Sequence, residues 1–245
     1  MKIAVAGSTG LIGSQVVAIA EQQDHEVVGL ARETGFDLLA PEGLTKALED
    51  VEAVIDVTQG PAIDESQATS FFRSVATNLG DAATGAGVRR TVVLSIVGVD
   101  KSPDYGYYVA KVAHEEATRS AAPGAVVLRA TQFHEFAGQM LEWNREQDVT
   151  RIIDVPIQPV ASREVAALLV ELATSEDARD TDLAGPQQEN LVDLVRRLVE
   201  RRGEQITVQA VDAPPSMAGG SMLPGPDAEI RGPRWEDWVA TGEAR

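Results

Sequence analysis

The sequence contains no cysteine among its 245 residues. Without cysteine the chain can form neither a disulfide framework nor a thiol nucleophile. No charged and apolar leader opens the chain, and no apolar run approaches the roughly 18 residues that a membrane span requires. We therefore expect a cytoplasmic protein that does not enter a membrane.

Basic residues and histidines are also scarce. The chain has 21 Lys and Arg against 38 Asp and Glu, a formal net charge of −17. Such an excess of acid repels phosphate backbones, so nucleic-acid binding is disfavoured. Only three histidines occur and no ligand cluster surrounds them, so no metal site is expected. The length and the 44% hydrophobic content indicate one globular domain over residues 1–245.

The first thirteen residues carry the clearest motif. An apolar run at 3–6 predicts a buried parallel strand, and residues 11–21 predict a helix. Three glycines in G-x-x-G-x-x-G spacing, at 7, 10 and 13, lead from the strand into the first turn of the helix. Strand, glycine turn and helix form the context of a dinucleotide-binding fingerprint, because glycine lets the main chain approach a pyrophosphate and the helix start presents free N–H groups. A plain glycine-rich turn is the alternative. The predicted cofactor-binding residues here are Gly7, Ser8, Thr9, Gly10, Leu11, Ile12 and Gly13.

The end of the second predicted strand, at 25–31, bears on the choice of cofactor. NAD enzymes place an acidic residue about 20 residues beyond the glycines, where it binds the ribose 2′-OH. Here Ala31 occupies that position and Arg32 follows, whose guanidinium can bind a 2′-phosphate. Glu33 could neutralise Arg32 or bind a ribose itself, and an exposed arginine without a role is the alternative. We expect NADP, with NAD left open.

Strands and long helices alternate along the chain, which predicts an α/β fold with a doubly wound parallel sheet. Further strands are predicted at 53–57, 91–95 and 125–129, and helices at 41–49, 65–86, 107–120 and 162–174. The turn Thr58-Gln59-Gly60-Pro61 follows the strand at 53–57. Because ligands of open α/β sheets bind beyond the carboxyl ends of strands, Thr58 and Gln59 are predicted to cover the nicotinamide half of the cofactor. A simple strand-ending turn is the alternative.

Three polar side chains suggest proton-transfer chemistry. Tyr107 and Lys111 are four residues apart on a predicted helix and therefore share one face. A neighbouring ammonium favours the phenolate and lowers the pKa of a tyrosine, which can then protonate a carbonyl oxygen as hydride arrives at carbon. Ser95, at the end of a strand, could hold the same oxygen. A surface pair on a helix is the alternative for Tyr107 and Lys111.

The sequence resembles the atypical short-chain dehydrogenase/reductases, the group that includes NmrA-like and nucleoside-sugar-epimerase-like NAD(P)-binding proteins. The segments that carry the resemblance are AGSTGLIG (6–13), VVLSIVGVD (92–100), YYVAK (107–111), LRATQFHEF (128–136) and LPGPDAEIRGPRWEDWVA (223–240). The resemblance implies a Rossmann fold with a small C-terminal substrate-binding portion, and a catalytic triad of Ser95, Tyr107 and Lys111. It also implies that Asp37 lies near the adenine ring. The candidates for the substrate wall are Gln132, Phe133 and His134.

These observations predict an NAD(P)H-dependent oxidoreductase that acts on a small carbonyl or enone. Segments at about 131–160 and 185–245 are expected on the substrate side, and the loop at 213–226 is either a lid or a packed connector. A nucleotide-sugar epimerase that retains NAD and a non-catalytic redox sensor of NmrA type are the rival interpretations. The expected partner is a small-molecule substrate, and a homodimer is left open.

Overall fold

The computed structural model describes residues 1–60 and 64–241. The strands of these residues are β1 (Lys2–Ala6), β2 (Glu26–Leu30), β3 (Ala53–Asp56), β4 (Arg90–Ile96), β5 (Ala125–Ala130), β6 (Arg145–Glu146), β7 (Val149–Ile153), β8 (Pro156–Ile157), β9 (Thr181–Ala184), β10 (Glu189–Asn190), β11 (Thr207–Val211) and β12 (Glu229–Ile230). The α-helices are α1 (Leu11–Gln22), α2 (Leu44–Ala47), α3 (Glu65–Ala86), α4 (Gly106–Ala121), α5 (Phe136–Trp143), α6 (Ser162–Thr174), α7 (Leu191–Arg202), α8 (Pro215–Ala218) and α9 (Trp235–Ala240).

The chain divides into two compact units. The first unit comprises Met1–Ile96, Gly106–Arg129 and Arg163–Thr181. The second unit comprises Val97–Tyr105, Ala130–Ser162 and Asp182–Arg245. The predicted glycine turn and the three predicted catalytic residues all belong to the first unit, and the three predicted substrate residues belong to the second.

Five strands of the first unit lie in the order β5-β4-β3-β1-β2. β1 pairs in parallel with both β2 and β3, and β3 pairs in parallel with β4. The strand after β1 therefore lies on one side of it and the next strand lies on the other. Because crossovers between parallel strands are right-handed, α1 and α3 cover opposite faces of this sheet. The predicted α/β fold with a doubly wound parallel sheet is confirmed.

Local sequence signals account for the longest helix of the first unit. α3 has the predicted bounds, since the Asp64 side chain accepts a hydrogen bond from the backbone N–H of Gln67 at 2.8 Å and Gly87 ends the helix in a left-handed conformation. One face of α3 packs against the sheet and α2. The core formed there consists of Ala4, Ala6, Leu30, Leu44, Leu48, Val51, Val54, Leu79, Ala82, Ala83 and Val88.

Two of the predicted segments differ from the structure. The helix predicted at 41–49 is restricted to α2, because Gly43, directly before it, has a φ of 82° and a left-handed residue cannot continue a right-handed helix. The loop predicted at 213–226 contains the short helix α8, which Pro215 can begin because a first-turn residue needs no N–H.

The second unit contains short strands and the helices α5, α7, α8 and α9. β7 pairs in parallel with β11 and antiparallel with β6, β8 pairs with β10, and β9 pairs in parallel with β12. The segment that contains α8 packs on the segment before Tyr107, through a 2.7 Å hydrogen bond between Ser102 and Ser221 and hydrogen bonds from Ser216 to Asp104. Among residues 1–60 and 64–241, no helix combines the length and apolar character needed to cross a bilayer.

Candidate functional site

The glycine turn between β1 and α1 is tight enough to require glycine at two positions. Gly7 has a φ of 82°, in the left-handed region that other residues avoid. A Cβ atom at Gly13 would lie 2.0 Å from the carbonyl oxygen of Gly7, whereas one at Gly10 would lie 3.4 Å from the same oxygen. The turn therefore folds directly onto the first turn of α1, and only a residue without a side chain fits at position 13.

The N-terminus of α1 is open to a ligand. Gly10, its N-cap, provides no side-chain hydrogen bond, and the first helical turn contains no acidic residue. The first N–H groups of a helix have no partner within the helix, and the helix dipole adds positive potential there. The Ser8 hydroxyl is buried nearby without a hydrogen-bond partner in the described part of the chain. These features fit the pyrophosphate of a dinucleotide.

The residues after β2 present one cation and two carboxylates. Arg32 is exposed, and its guanidinium forms no hydrogen bond within the described residues, although its charge lies near Glu33. Glu33 accepts a hydrogen bond from Thr9 at 3.1 Å; its own backbone N–H and this bond lower the pKa of its carboxyl group. Asp37 is exposed and accepts a hydrogen bond from the backbone N–H of Leu39 at 3.1 Å. Arg32 thus remains available to an external anion.

The carboxyl end of β3 packs against the glycine turn. A Cβ atom at Gly7 would lie 3.0 Å from the Val57 carbonyl oxygen and 3.2 Å from the Thr58 nitrogen. The backbone N–H and the hydroxyl of Thr58 both donate to Asp56, at 2.9 and 2.7 Å. Thr58 is thereby fixed beside the predicted cofactor turn, and Gln59 is exposed. Pro61 lies outside the described residues.

Of the three predicted catalytic residues, Lys111 lies beside Ser95 at the carboxyl end of β4, and Lys111 and Tyr107 both pack on Phe72. Ser95 is buried, and its hydroxyl has no hydrogen-bond partner within the described chain. The Lys111 ammonium donates to the carbonyl of Leu94, the residue before Ser95, at 2.8 Å. This ammonium lies 4.7 Å from the centre of the Phe72 ring, and the half-buried Tyr107 ring meets Phe72 edge-on at 6.0 Å.

Two further residues of this site, His114 and Asp56, are absent from the prediction. His114 lies 2.9 Å from Lys111 through Nδ1 and 2.9 Å from Asp56 through Nε2, and both side chains are almost completely buried. The sequence signal that could have identified His114 is its position three residues after Lys111, on the same helix face. Asp56 could have been found at the end of a predicted strand, just before the turn that contains Thr58 and Gln59.

Burial and the contacts within this group shift the pKa values of Lys111, His114 and Asp56. Burial lowers the pKa of Lys111 from 10.5 to about 8, although Asp56 and Glu115 act in the opposite direction. Burial and the nearby ammonium of Lys111 also lower the pKa of His114, so its imidazole is neutral at pH 7. Burial alone would raise the pKa of Asp56, but attraction to His114 when that ring is protonated, and hydrogen bonds from His114 and Thr58, lower it to about 2.

The predicted substrate residues lie next to one another in the second unit. Gln132 is buried, and neither its side-chain oxygen nor its nitrogen has a partner among the described residues. Phe133 pairs with Val160 in an isolated β-bridge. The Nε2–H group of His134 donates to the carbonyl of Pro233 at 3.1 Å, and burial lowers the pKa of His134 to about 4, so the ring is neutral.

A cavity of about 330 Å³ lies beside His134 within the second unit. Its walls come from α5, α7 and α9. The lining residues are His134, Glu135, Gly138, Gln139, Glu142, Trp143, Leu198, Arg202, Trp235 and Trp238. Trp143 is 64% exposed at this cavity, whereas Trp235 and Trp238 are buried. No group of three or more metal-binding side chains occurs among residues 1–60 and 64–241.

Comparison with known proteins identifies a family and several proteins of similar fold. Residues 34–176, more than half of the chain, match a family model described as NAD(P)H-binding. The photosystem II assembly factor Ycf39 of Synechocystis sp. is 32% identical over 117 residues. That match covers 42% of this chain and 36% of Ycf39, so the chain spans about a third of this relative.

Two solved structures illustrate the likeness in fold. The dTDP-4-dehydrorhamnose reductase of Bacillus anthracis, in complex with NADP, has a TM-score of 0.74 at 12% identity, over 98% of this chain and 97% of that one. The NADPH-dependent quinone oxidoreductase QOR2 of Escherichia coli, complexed with NADPH, has a TM-score of 0.69 at 20% identity, over 86% and 78% of the two chains.

Proposed function

We propose, from the premise that the chain belongs to the NAD(P)H-binding family, that it is an NADPH-dependent oxidoreductase acting on a small carbonyl or enone. The observation that carries this proposal is the grouping of Ser95, Tyr107 and Lys111. The buried Ser95 hydroxyl has no hydrogen-bond partner among the described residues. Ser95 directly follows Leu94, whose carbonyl accepts a hydrogen bond from Lys111. Tyr107 and Lys111 both contact Phe72. This is the arrangement expected of an acid, its activating cation and a donor to the substrate oxygen.

The cofactor would be held by the first unit. The open N-terminus of α1 and the Gly7–Gly13 turn would bind the pyrophosphate, with Thr58 beside that turn. Arg32 would bind a 2′-phosphate, because its guanidinium is exposed and free of hydrogen bonds within the described residues. Glu33 is engaged by Thr9, which favours the arginine as the selector. This arrangement favours NADP over NAD.

The chemistry follows from the same groups. The nicotinamide of the bound cofactor supplies or accepts the hydride. The Ser95 hydroxyl donates a hydrogen bond to the carbonyl oxygen, and the Tyr107 phenol delivers a proton to it as negative charge develops. The positive charge of Lys111 would favour the phenolate that remains. In an enone the added hydride lies at the β-carbon, and the same oxygen bears the charge of the enolate.

The second unit would supply the substrate contacts. Segments at about 131–160 and 185–245 lie within it. Gln132 supports this role because its buried amide has neither donor nor acceptor satisfied by the described residues, and such a group is costly to keep without a ligand. The neutral His134 ring has a free Nδ1 lone pair in the described structure and could accept a hydrogen bond.

The test is NADPH oxidation with a panel of small aldehydes, ketones, enones and quinones. We expect Tyr107→Phe to lower kcat about 10²- to 10⁴-fold, because the proton donor is lost while its ring is kept. Tyr105→Phe, on the exposed residue two positions earlier, is the matched control and should keep full turnover. Parallel titrations with NADPH and NADH should show an NADPH preference that Arg32→Ala removes. Full turnover by Tyr107→Phe on a substrate that the wild type reduces would refute the assignment.

A second candidate is a regulator or assembly factor that binds NAD(P)H without turnover. The similarity to Ycf39 favours it, since that protein is described as an assembly factor. In this case the protein would bind NADPH in the same site and reduce none of the compounds of the panel. An epimerase, the third possibility, would be purified with NAD already bound, which the absorbance of the denatured protein would reveal.

A further inference from the structure

A chain of buried polar side chains links the proposed catalytic lysine to the turn that follows β3. It runs from Lys111 through His114 to Asp56 and ends at Thr58. We propose that His114 and Asp56 are positioning residues, which hold the Lys111 ammonium at the end of β4 and connect it to the turn that carries Thr58. This inference rests on the proposed function, because it assigns these residues to the same cofactor and substrate site.

The direction of each hydrogen bond follows from the chemistry of the groups. A protonated lysine can only donate, so His114 Nδ1 must accept its hydrogen bond. The imidazole is neutral, so its proton lies on Nε2 and is donated to the Asp56 carboxylate. The other oxygen of Asp56 accepts both hydrogen bonds from Thr58. Every member therefore has a defined role, and the tautomer of His114 is fixed from both sides.

Lys111 keeps one donor for a ligand. Of its three N–H groups, one binds the Leu94 carbonyl and one binds His114, and the described residues provide no hydrogen-bond acceptor for the third. Phe72 lies on one side of the ammonium at 4.7 Å and stacks on the His114 ring at 4.7 Å. The third N–H is thus left for a ribose hydroxyl or the substrate side, and the two bonds determine where it lies.

Among the described residues, Asp56 is the neighbour that most favours the charged form of Lys111. Glu115, on the same helix, is bound by both nitrogens of Arg129 on β5, at 2.9 and 2.8 Å, so its charge is largely neutralised. The neighbouring α3 contributes the uncharged Phe72 ring, and β4 contributes a carbonyl. Asp56 on β3 therefore provides the buried negative charge that keeps Lys111 protonated, through the neutral His114.

Stability alone does not explain this chain. His114 and Asp56 are 0% and 1% exposed, and apolar residues of similar volume at such sites often leave a protein equally or more stable. His114 and Asp56 lie between Lys111, which binds the carbonyl of the residue before Ser95, and the turn that carries Thr58. An ammonium held in a fixed orientation there can bind the cofactor or the substrate. This is the placement expected of residues that act through Lys111.

The experiment follows Lys111 directly by NMR with 13Cε-labelled lysine, which is practical because the chain has few lysines (positions 2, 46, 101 and 111). In the wild type, the Lys111 signal should titrate with a midpoint near 8. His114→Leu removes the acceptor of the charged form, so the midpoint should fall by about one pH unit. His114→Asn, which keeps an acceptor near Nδ1, should restore most of it. Thr118→Val, a buried change one turn further on α4, is the control for general disturbance of the core, because it removes a 2.9 Å hydrogen bond to the His114 carbonyl but leaves the His114 ring and its partners in place.

NADPH titration of the same proteins provides the second measurement. At pH 7 the affinity should fall roughly tenfold in His114→Leu and two- to threefold at most in His114→Asn, as expected for a misplaced charged donor. Protonated Lys111 favours binding, so affinity should decrease as the pH rises through about 8 in the wild type, and at a lower pH in His114→Leu.

The possible outcomes separate this inference from the proposed function. If the wild type binds NADPH but the Lys111 midpoint is the same in His114→Leu, the positioning role is refuted and the proposed function stands. If the wild type binds no dinucleotide, both fail. Should His114→Leu not fold, 15N imidazole shifts of the wild type decide, because a proton on Nδ1 of His114 would contradict the proposed chain of donors.

Discussion

Two helices of the same length begin in opposite ways. α1 and α7 each contain 12 residues. The N-cap of α7 is Asn190, whose side chain accepts hydrogen bonds from the backbone N–H groups of Val192 and Asp193, and Asp193 places a carboxylate in the first turn. The N-cap of α1 is Gly10, which provides no such bond, and no acid follows it. The free N–H groups are satisfied within the protein in α7 and remain available in α1.

The difference shows where stability has been given up for a ligand. A glycine N-cap costs only roughly a few tenths of a kcal/mol relative to a side-chain N-cap, and an acid in the first turn contributes about 0.3–1 kcal/mol. α1 lacks both and also contains Gly13, although glycine inside a helix costs about 0.5–1 kcal/mol relative to alanine. An anion bound at this N-terminus would supply the hydrogen bonds and the charge that the sequence of α1 omits.

Gly13→Ala should give the largest effect. Its Cβ would lie 2.0 Å from the Gly7 carbonyl oxygen, so the turn must move away from the helix. Loss of two or more hydrogen bonds to phosphate should weaken NADPH binding roughly 100-fold or more, as measured by fluorescence titration. Gly10→Ala is the matched control, because its Cβ would lie 3.4 Å from the same oxygen and its affinity should change far less. Equal effects at the two positions would show that the tight packing of the turn is unimportant for binding.

Leu11→Asp should change stability and affinity in opposite directions. Leu11 is 41% exposed in the first turn of α1, so an aspartate there has space and interacts favourably with the helix dipole. The free energy of unfolding without cofactor should rise by about 0.3–1 kcal/mol, while NADPH affinity falls about tenfold through repulsion of the phosphates. Urea unfolding and NADPH titration measure the two effects.

Leu11→Asn is the neutral control for Leu11→Asp, since it has nearly the same shape without the charge. The loss of affinity in Leu11→Asp should shrink at high salt, where exposed charges are screened. An unchanged affinity at low salt in Leu11→Asp would contradict the presence of an anion at this helix.

The sequence predicts those parts of the fold and site that local signals determine. The glycine turn, the bounds of α3 and the Asn190 cap all follow from residues within a few positions of each other. The link between His114 and Asp56 could not be predicted in the same way, because the two residues are 58 positions apart and meet only when α4 packs near β3. The short strands of the second unit have weak periodicity and depend on tertiary pairing. Their proposed role toward substrate remains a prediction.

Asn190→Ala should give the smallest effect and complete the comparison. Removal of the cap of α7 should lower the free energy of unfolding by about 1 kcal/mol, or about 2–4 °C in Tm, while NADPH affinity is unchanged. Asn190 also donates to Asp154 at 2.7 Å, so Asn190→Ser is needed as a control that keeps the cap without this bond. If Asn190→Ser is as unstable as Asn190→Ala, the bond to Asp154 rather than the cap stabilises α7. The contrast with α1 would then rest on the glycine turn alone.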